Sequence, residues 1–157
     1  MFDRDTTRWS FDTDVVIVGS GGCGLAAAMA AAQGGVEALV LEKQARPWSN
    51  TARSGGMIPA AGTRFQRAAG IQETPKDFAA DIFRKNGHTS DPAMTRHLTE
   101  IAPGMVEWLV DDVGVNLVFI DDFKYPGHAE FRMHAPPNRT GGALVHDLRA
   151  PVQGHAQ

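Results

Sequence analysis

Residues 14 to 18, "DVVIV", form a short run of β-branched apolar residues bounded by polar positions and glycine. That pattern predicts a strand covered on both faces, as in a parallel sheet. Small helix formers follow from 22 to 33 and stop at Gly34-Gly35, where a helix C-cap is expected. "VEALVLEK", 36 to 43, predicts a second strand. Strand, helix and strand within about thirty residues make a βαβ unit with a right-handed crossover. Residues 44 to 73 show no sustained period and read as a long loop. "TPKDFAADIFRKNG" predicts a helix with Thr74 as N-cap, Pro75 at its first position, Asp77 closing a capping box and Gly87 just past its end. A further helix starts at Asp91-Pro92. Met94, Leu98, Ile101, Met105, Trp108 and Leu109 recur at steps of three and four, which predicts one buried apolar face, and Pro103 should kink or divide that helix. "VNLVFID", 115 to 121, predicts a strand, and "GGALVHDLRA" opens a last helix.

Composition narrows the classes. The chain has 157 residues, 43% of them hydrophobic, with 15 basic and 18 acidic residues and no basic run. It is long enough for one globular core and carries no electrostatic footprint for nucleic acid or an anionic membrane. Its polar, acidic start is unlike a signal peptide, and no apolar stretch approaches the ~20 residues of a membrane span, so a cytoplasmic location is expected. The one cysteine, Cys23, excludes an intramolecular disulfide and a multi-cysteine zinc site, and its residue type favours a small packing role.

The chemistry begins between the first strand and the first helix. Gly19, Gly21 and Gly24 fit G-x-G-x-x-G: the first allows a tight turn, the second admits a pyrophosphate to the backbone, and the third lets helix and strand pack closely. Amides at the helix start, with the helix dipole, then form an anion site. The fingerprint calls for an acidic residue about twenty positions later, at the end of the second strand, to receive ribose hydroxyls, and Glu42 stands there beside Lys43. A carboxylate disfavours a 2′-phosphate, so NAD and FAD remain as candidates. "SNTARSGGM", 49 to 57, offers the short hydroxyl and amide groups and the bare backbone that a flavin ring needs, and equally the composition of a polar loop.

Five segments taken together are more specific. "DVVIVGSGGCGLAAA", "VLEK", "SNTARSGGM", "TSDPAMTRHLTEIAPGMVEWLVDDVGV" and "YPGHAEFRMHAPPNRTGGALVHDL" resemble, in order, the N-terminal part of the fumarate reductase/succinate dehydrogenase flavoprotein family, which includes aspartate oxidase and ketosteroid dehydrogenases. The resemblance implies an α/β fold, the N-terminal portion of a Rossmann-like βαβ FAD-binding domain spanning 1 to 157, with the cap domain and the C-terminal part of the FAD domain outside it. It implies FAD, with the pyrophosphate at Gly19, Gly21, Gly22, Cys23 and Gly24, the adenosine ribose on Glu42 and Lys43, and the isoalloxazine near Asn50, Thr51, Ser54, Gly55 and Gly56. Membrane-bound relatives attach the flavin covalently to a histidine just before the loop's threonine. Asn50 stands there in this chain, so noncovalent FAD is expected.

His128, Arg132, His134 and Arg139 fall within a dozen residues. Arg132 and His134, two apart, could face one side of an extended segment and hold a substrate carboxylate, because arginine offers a planar two-point donor. His128, Arg132 and His134 are therefore the candidate substrate residues, and no metal site is expected. In the resembling enzymes hydride passes between flavin N5 and a carbon beside an electron-withdrawing group, and the arginine and carboxylate clamps that serve it lie after the region covered here. The catalytic residue is thus unassigned, the expected substrate is a small carboxylic acid or a ketosteroid, and the chain alone is expected to bind FAD weakly without turnover. The other readings are an NAD-dependent Rossmann oxidoreductase and a noncatalytic nucleotide-binding module.

Overall fold

A computed structural model describes residues 11–44 and 48–153. Its first part is the βαβ unit: β1 (Val15–Val18), α1 (Gly22–Gln33) and β2 (Ala38–Leu41), with β1 and β2 parallel and Val15 opposite Ala38. Both strands are shorter than the runs that predict them. Among the described residues this sheet has two strands only, so β1 is not covered on both faces as expected: α1 packs on it with Gly24 set against Ile17, while Val16 and Val18 are exposed.

The segment read as a long loop holds three short elements. They are α2 (Asn50–Arg53), β3 (Ile58–Pro59) and α3 (Arg64–Ala68). Ser49 and Thr63 cap α2 and α3 by accepting from Ala52 N and Gln66 N, which lets such short helices start in a polar stretch. Next come α4 (Pro75–Lys85), α5 (Pro92–Asp111), β4 (Val118–Ile120), β5 (Met133–Ala135) and α6 (Gly141–Gln153). The capping box at Thr74 and Asp77 forms as predicted, with each side chain accepting from the other residue's backbone amide. The predicted strand at 115–121 reduces to β4. It joins β3 and β5 in an antiparallel sheet ordered β3-β5-β4, with His134 opposite both Ile58 and Phe119.

α5 bears on two expectations. It is one helix from Pro92 to Asp111 and is not divided at Pro103. Its buried face is Thr95, Thr99, Ala102, Val106 and Leu109, one position away from most of the predicted stripe, and Met94, Leu98 and Ile101 are more than half exposed. The helix packs against α4, which offers Phe78 and Ala79, and small side chains allow that close approach where Met94 and Leu98 would hold the helices apart. The main core gathers Leu25 and Met29 of α1, Val106 and Leu109 of α5, Val113, Val115 and Leu117 beyond it, and Leu144, Val145 and Leu148 of α6.

Candidate functional site

The glycine turn is built as the fingerprint requires. Gly19 has φ +97°, a conformation that disfavours any side chain, and its amide donates to Leu41 O at 2.7 Å, tying the turn to the end of β2. A Cβ on Gly24 would lie 2.0 Å from Gly19 O, so the start of α1 can sit against the turn only because that position is bare. Gly21 is the N-cap of α1 and has no side chain with which to cap it, and the first turn holds no acidic residue. The positive end of the dipole therefore faces the opening unneutralised.

Glu42 closes the other side. One of its oxygens accepts from Ser20 N at 2.8 Å and Ser20 Oγ at 2.9 Å, and the other accepts from Gln44 N at 3.0 Å. The Ser20 amide, the Ser20 hydroxyl and the Gln44 amide together hold the carboxyl below its ordinary range, so it is ionised at neutral pH. Ser20, buried between the first two glycines, fixes the Glu42 carboxylate, a contact that the fingerprint alone does not single out. Its signal in the sequence is a hydroxyl where the motif accepts any residue. Gly19, Gly21, Glu42, Lys43, Ser49 and Asn50 line one opening of about 500 Å³. Glycine turn, strand-end carboxylate and the start of the 49–57 segment thus meet in one place.

That segment is held by close backbone contacts. Thr51 Oγ1 accepts from Gly22 N at 3.2 Å, joining α2 to the start of α1. Ser54 Oγ donates to Thr51 O and accepts from Gly56 N. A Cβ on Gly141 would lie 1.8 Å from Thr51 O, and the Gly141 amide donates to Ser54 O at 2.8 Å. The glycine pair that opens α6 therefore serves to seat α2, a role the sequence reading did not assign. Gly56 has φ +64° and abuts Thr140 O, whereas Gly55 stands clear of tight contacts. Cys23 is exposed in the first turn of α1, against the packing role expected of it, because Gly24 and Leu25 supply the side of the helix that meets β1 and the core.

The histidine and arginine cluster is a different matter. Arg132 is fully buried, its guanidinium paired with both Glu73 and Asp81 and lying 4.5 Å over the Phe78 ring. Asp81 also accepts from Ala129 N at 2.7 Å and Arg84 at 2.6 Å, and Glu73 accepts from Gln66 Nε2 at 2.6 Å. Burial raises the Glu73 carboxyl. For Asp81, burial is outweighed by the Ala129 amide and the two arginines, and its carboxyl is lowered. His134 is buried as well, with Nε2 3.0 Å from Thr63 Oγ1 and Nδ1 3.4 Å from Ile58 O. Since a carbonyl only accepts, Nδ1 carries the proton and Nε2 accepts from the threonine. His128 is half-buried between Phe78 and Tyr125, and burial lowers its pKa. The expectation that Arg132 and His134 present a carboxylate clamp is corrected: β5 turns them into the body of the protein, where carboxylates and a hydroxyl of the same chain already occupy them. Arg139, at φ +52°, pairs with Asp122 at the surface. Among the described residues no group of histidine, cysteine and carboxylate side chains is placed to hold a metal, and no helix is long and apolar enough to cross a membrane.

His134 makes the stability of the chain depend on pH. Burial pushes its pKa down to about 4, below the 6.5 of an unfolded histidine. The unfolded state therefore binds a proton first, and stability falls as pH drops from about 6.5 toward 4, by up to ~3 kcal/mol for this group. His134→Gln should lose that part of the acid sensitivity, read as the difference between the two proteins' urea midpoints at pH 7 and pH 4.5. Equal slopes would show that other groups carry the effect.

A glycine turn on a parallel βαβ unit, an ionised carboxylate at the second strand's end and a helix N-terminus with glycine as its N-cap define a dinucleotide-binding protein. Residues 14–156 match the FAD binding domain family, and the chain belongs to it. Of the two dinucleotides the fingerprint left open, FAD is the one this family binds, and the bare cradle around Gly19, Gly21 and Gly24 fits its pyrophosphate. The chain is 33% identical to urocanate reductase of Eggerthella lenta over 91% of its length, and 36% identical to NADH:fumarate oxidoreductase of Klebsiella pneumoniae over 86%. It spans only 23% and 14% of those curated relatives' own lengths. Its fold matches the open conformation of a flavocytochrome c3 fumarate reductase with a TM-score of 0.80 and 28% identity, covering 92% of this chain and 26% of that one.

Proposed function

We propose that this chain is the nucleotide-holding part of an FAD-dependent oxidoreductase that acts on a small unsaturated or saturated carboxylic acid. The observation that carries the reading is the junction of the glycine turn with Glu42, where the bare backbone of Gly19 and Gly21 and a fixed carboxylate line one opening. The amides of Cys23 and Gly24 at the start of α1 are offered to the pyrophosphate, and the lone pairs of Glu42 left free by Ser20 and Gln44 accept from the adenosine ribose hydroxyls. Lys43 borders the same opening. Asn50, Thr51, Ser54, Gly55 and Gly56 run toward the isoalloxazine, with Asn50 making the attachment noncovalent. When bound, FAD supplies hydride exchange at its ring N5.

The substrate class draws on the relatives, two of which are named for urocanate and fumarate. Arg132 and His134 are engaged within the chain and are not offered as groups that hold the substrate carboxylate.

Titration of the chain with FAD, followed by quenching of flavin fluorescence, tests the reading. Weak, saturable binding is expected, with all the flavin released on acid precipitation. Glu42→Gln keeps the shape but removes the charged acceptor and should weaken FAD about tenfold. Flavin that stays with the precipitated protein would refute noncovalent attachment, and unaltered affinity in Glu42→Gln would remove the ribose assignment.

A further inference from the structure

Trp48 is 67% exposed and lines the same opening as Gly19, Gly21 and Glu42. It also borders a second opening of about 340 Å³ between α2 and α6, so the indole stands as a partition between the two. Its backbone is fixed from both sides. The Trp48 amide donates to Gln44 Oε1 at 3.3 Å, and the Gln44 amide donates to Glu42 at 3.0 Å. On the other side Ser49 is committed to capping α2. A large apolar ring is thus held in water at the wall of a nucleotide cleft, tethered through one residue to the carboxylate assigned to the ribose.

We propose that Trp48 is a cofactor-binding residue whose indole stacks on the adenine ring of FAD. The inference rests on the FAD reading above. The tether decides which ring is met: it runs to Gln44 and Glu42, and adenine is one sugar away from the hydroxyls that Glu42 would receive, whereas the reading above assigns the isoalloxazine to the residues beyond Ser49. Stacking needs only a π-face on the nucleotide and an exposed ring on the protein, and it covers apolar surface on both.

The test titrates the chain and its Trp48→Ala and Trp48→Phe forms with FAD, ADP and FMN by calorimetry, with tryptophan emission followed in the ADP titrations. Trp48→Ala should weaken FAD and ADP about tenfold and by the same factor, and should leave FMN unchanged. Trp48→Phe keeps a ring and should stay within about threefold of the unsubstituted chain. ADP should shift the emission of the unsubstituted chain to shorter wavelength and not that of Trp48→Phe. FAD and ADP affinities within twofold in Trp48→Ala overturn the stacking and leave the FAD reading intact. A loss for FMN without a loss for ADP overturns the choice of adenine. No binding of FAD by the unsubstituted chain overturns the FAD reading and the stacking with it.

Discussion

Gly24→Ala is expected to abolish FAD binding, lowering affinity at least a hundredfold while most of the helical signal in circular dichroism survives. A methyl at this position would sit 2.0 Å from Gly19 O, a backbone atom of the residue whose amide donates to Leu41 O. Neither side can yield without opening the turn or lifting α1 from β1. Either movement misaligns the helix amides and the Ser20–Glu42 contact together, because both are anchored on the six residues from Gly19 to Gly24. Gly22→Ala is the comparison. Its methyl would meet the Thr51 side chain at 2.9 Å, and a side chain can rotate away, so a loss within about tenfold is expected. Equal affinities for Gly24→Ala and the unsubstituted chain would mean that the cofactor does not use this turn.

The second large effect lies away from the nucleotide. Arg132→Met should destabilise the chain by ~3–5 kcal/mol, because it leaves Glu73 and Asp81 buried beside an apolar side chain with no cation between them. Set against the ~5–15 kcal/mol that typically holds a domain together, this is a large fraction, visible as a lowered urea midpoint. The deficit has a pH signature. Glu73 already has a raised pKa in the folded protein, and losing Arg132 raises it further. A carboxyl whose folded pKa lies above its unfolded value costs nothing below the unfolded value and progressively more as pH rises through the folded one. The gap between Arg132→Met and the unsubstituted chain should therefore narrow at acid pH. Adding Glu73→Gln to Arg132→Met should recover part of the loss at pH 7. A gap that does not change with pH would assign it to packing alone.

Local signals account for what was legible. The βαβ unit follows from a β-branched run, an alanine-rich helix and a second apolar run adjacent in sequence. The start of α4 follows from Thr74 and Asp77, three residues apart. What escaped depends on distant partners. β3 and β5, two and three residues long, exist because they pair across more than seventy positions of chain, and nothing within either announces it. Arg132 and His134, among prolines and other polar residues, have the composition of an exposed loop. The carboxylates that draw Arg132 inward lie 59 and 51 residues earlier. On α5 the apolar period gave the wrong stripe, since the contact with α4 selects side chains for size and not only for hydrophobicity. At the candidate site, the fingerprint picks out the glycines and Glu42, while Ser20 and Gly141 are defined by contacts with chain far away in sequence.

The two-stranded parallel sheet has a consequence for the timing of backbone opening. Among the described residues β1 and β2 each have one neighbouring strand, so alternate amides face no partner strand, and Val16 and Val18 are open to water, whereas β5 is paired on both sides and fully buried. Amide protons of 15–18 and 38–41 should therefore exchange with deuterium long before those of 133–135. A dinucleotide seated across the ends of β1 and β2 would close that difference, so exchange at these eight positions reports occupancy of the site with no chemistry required.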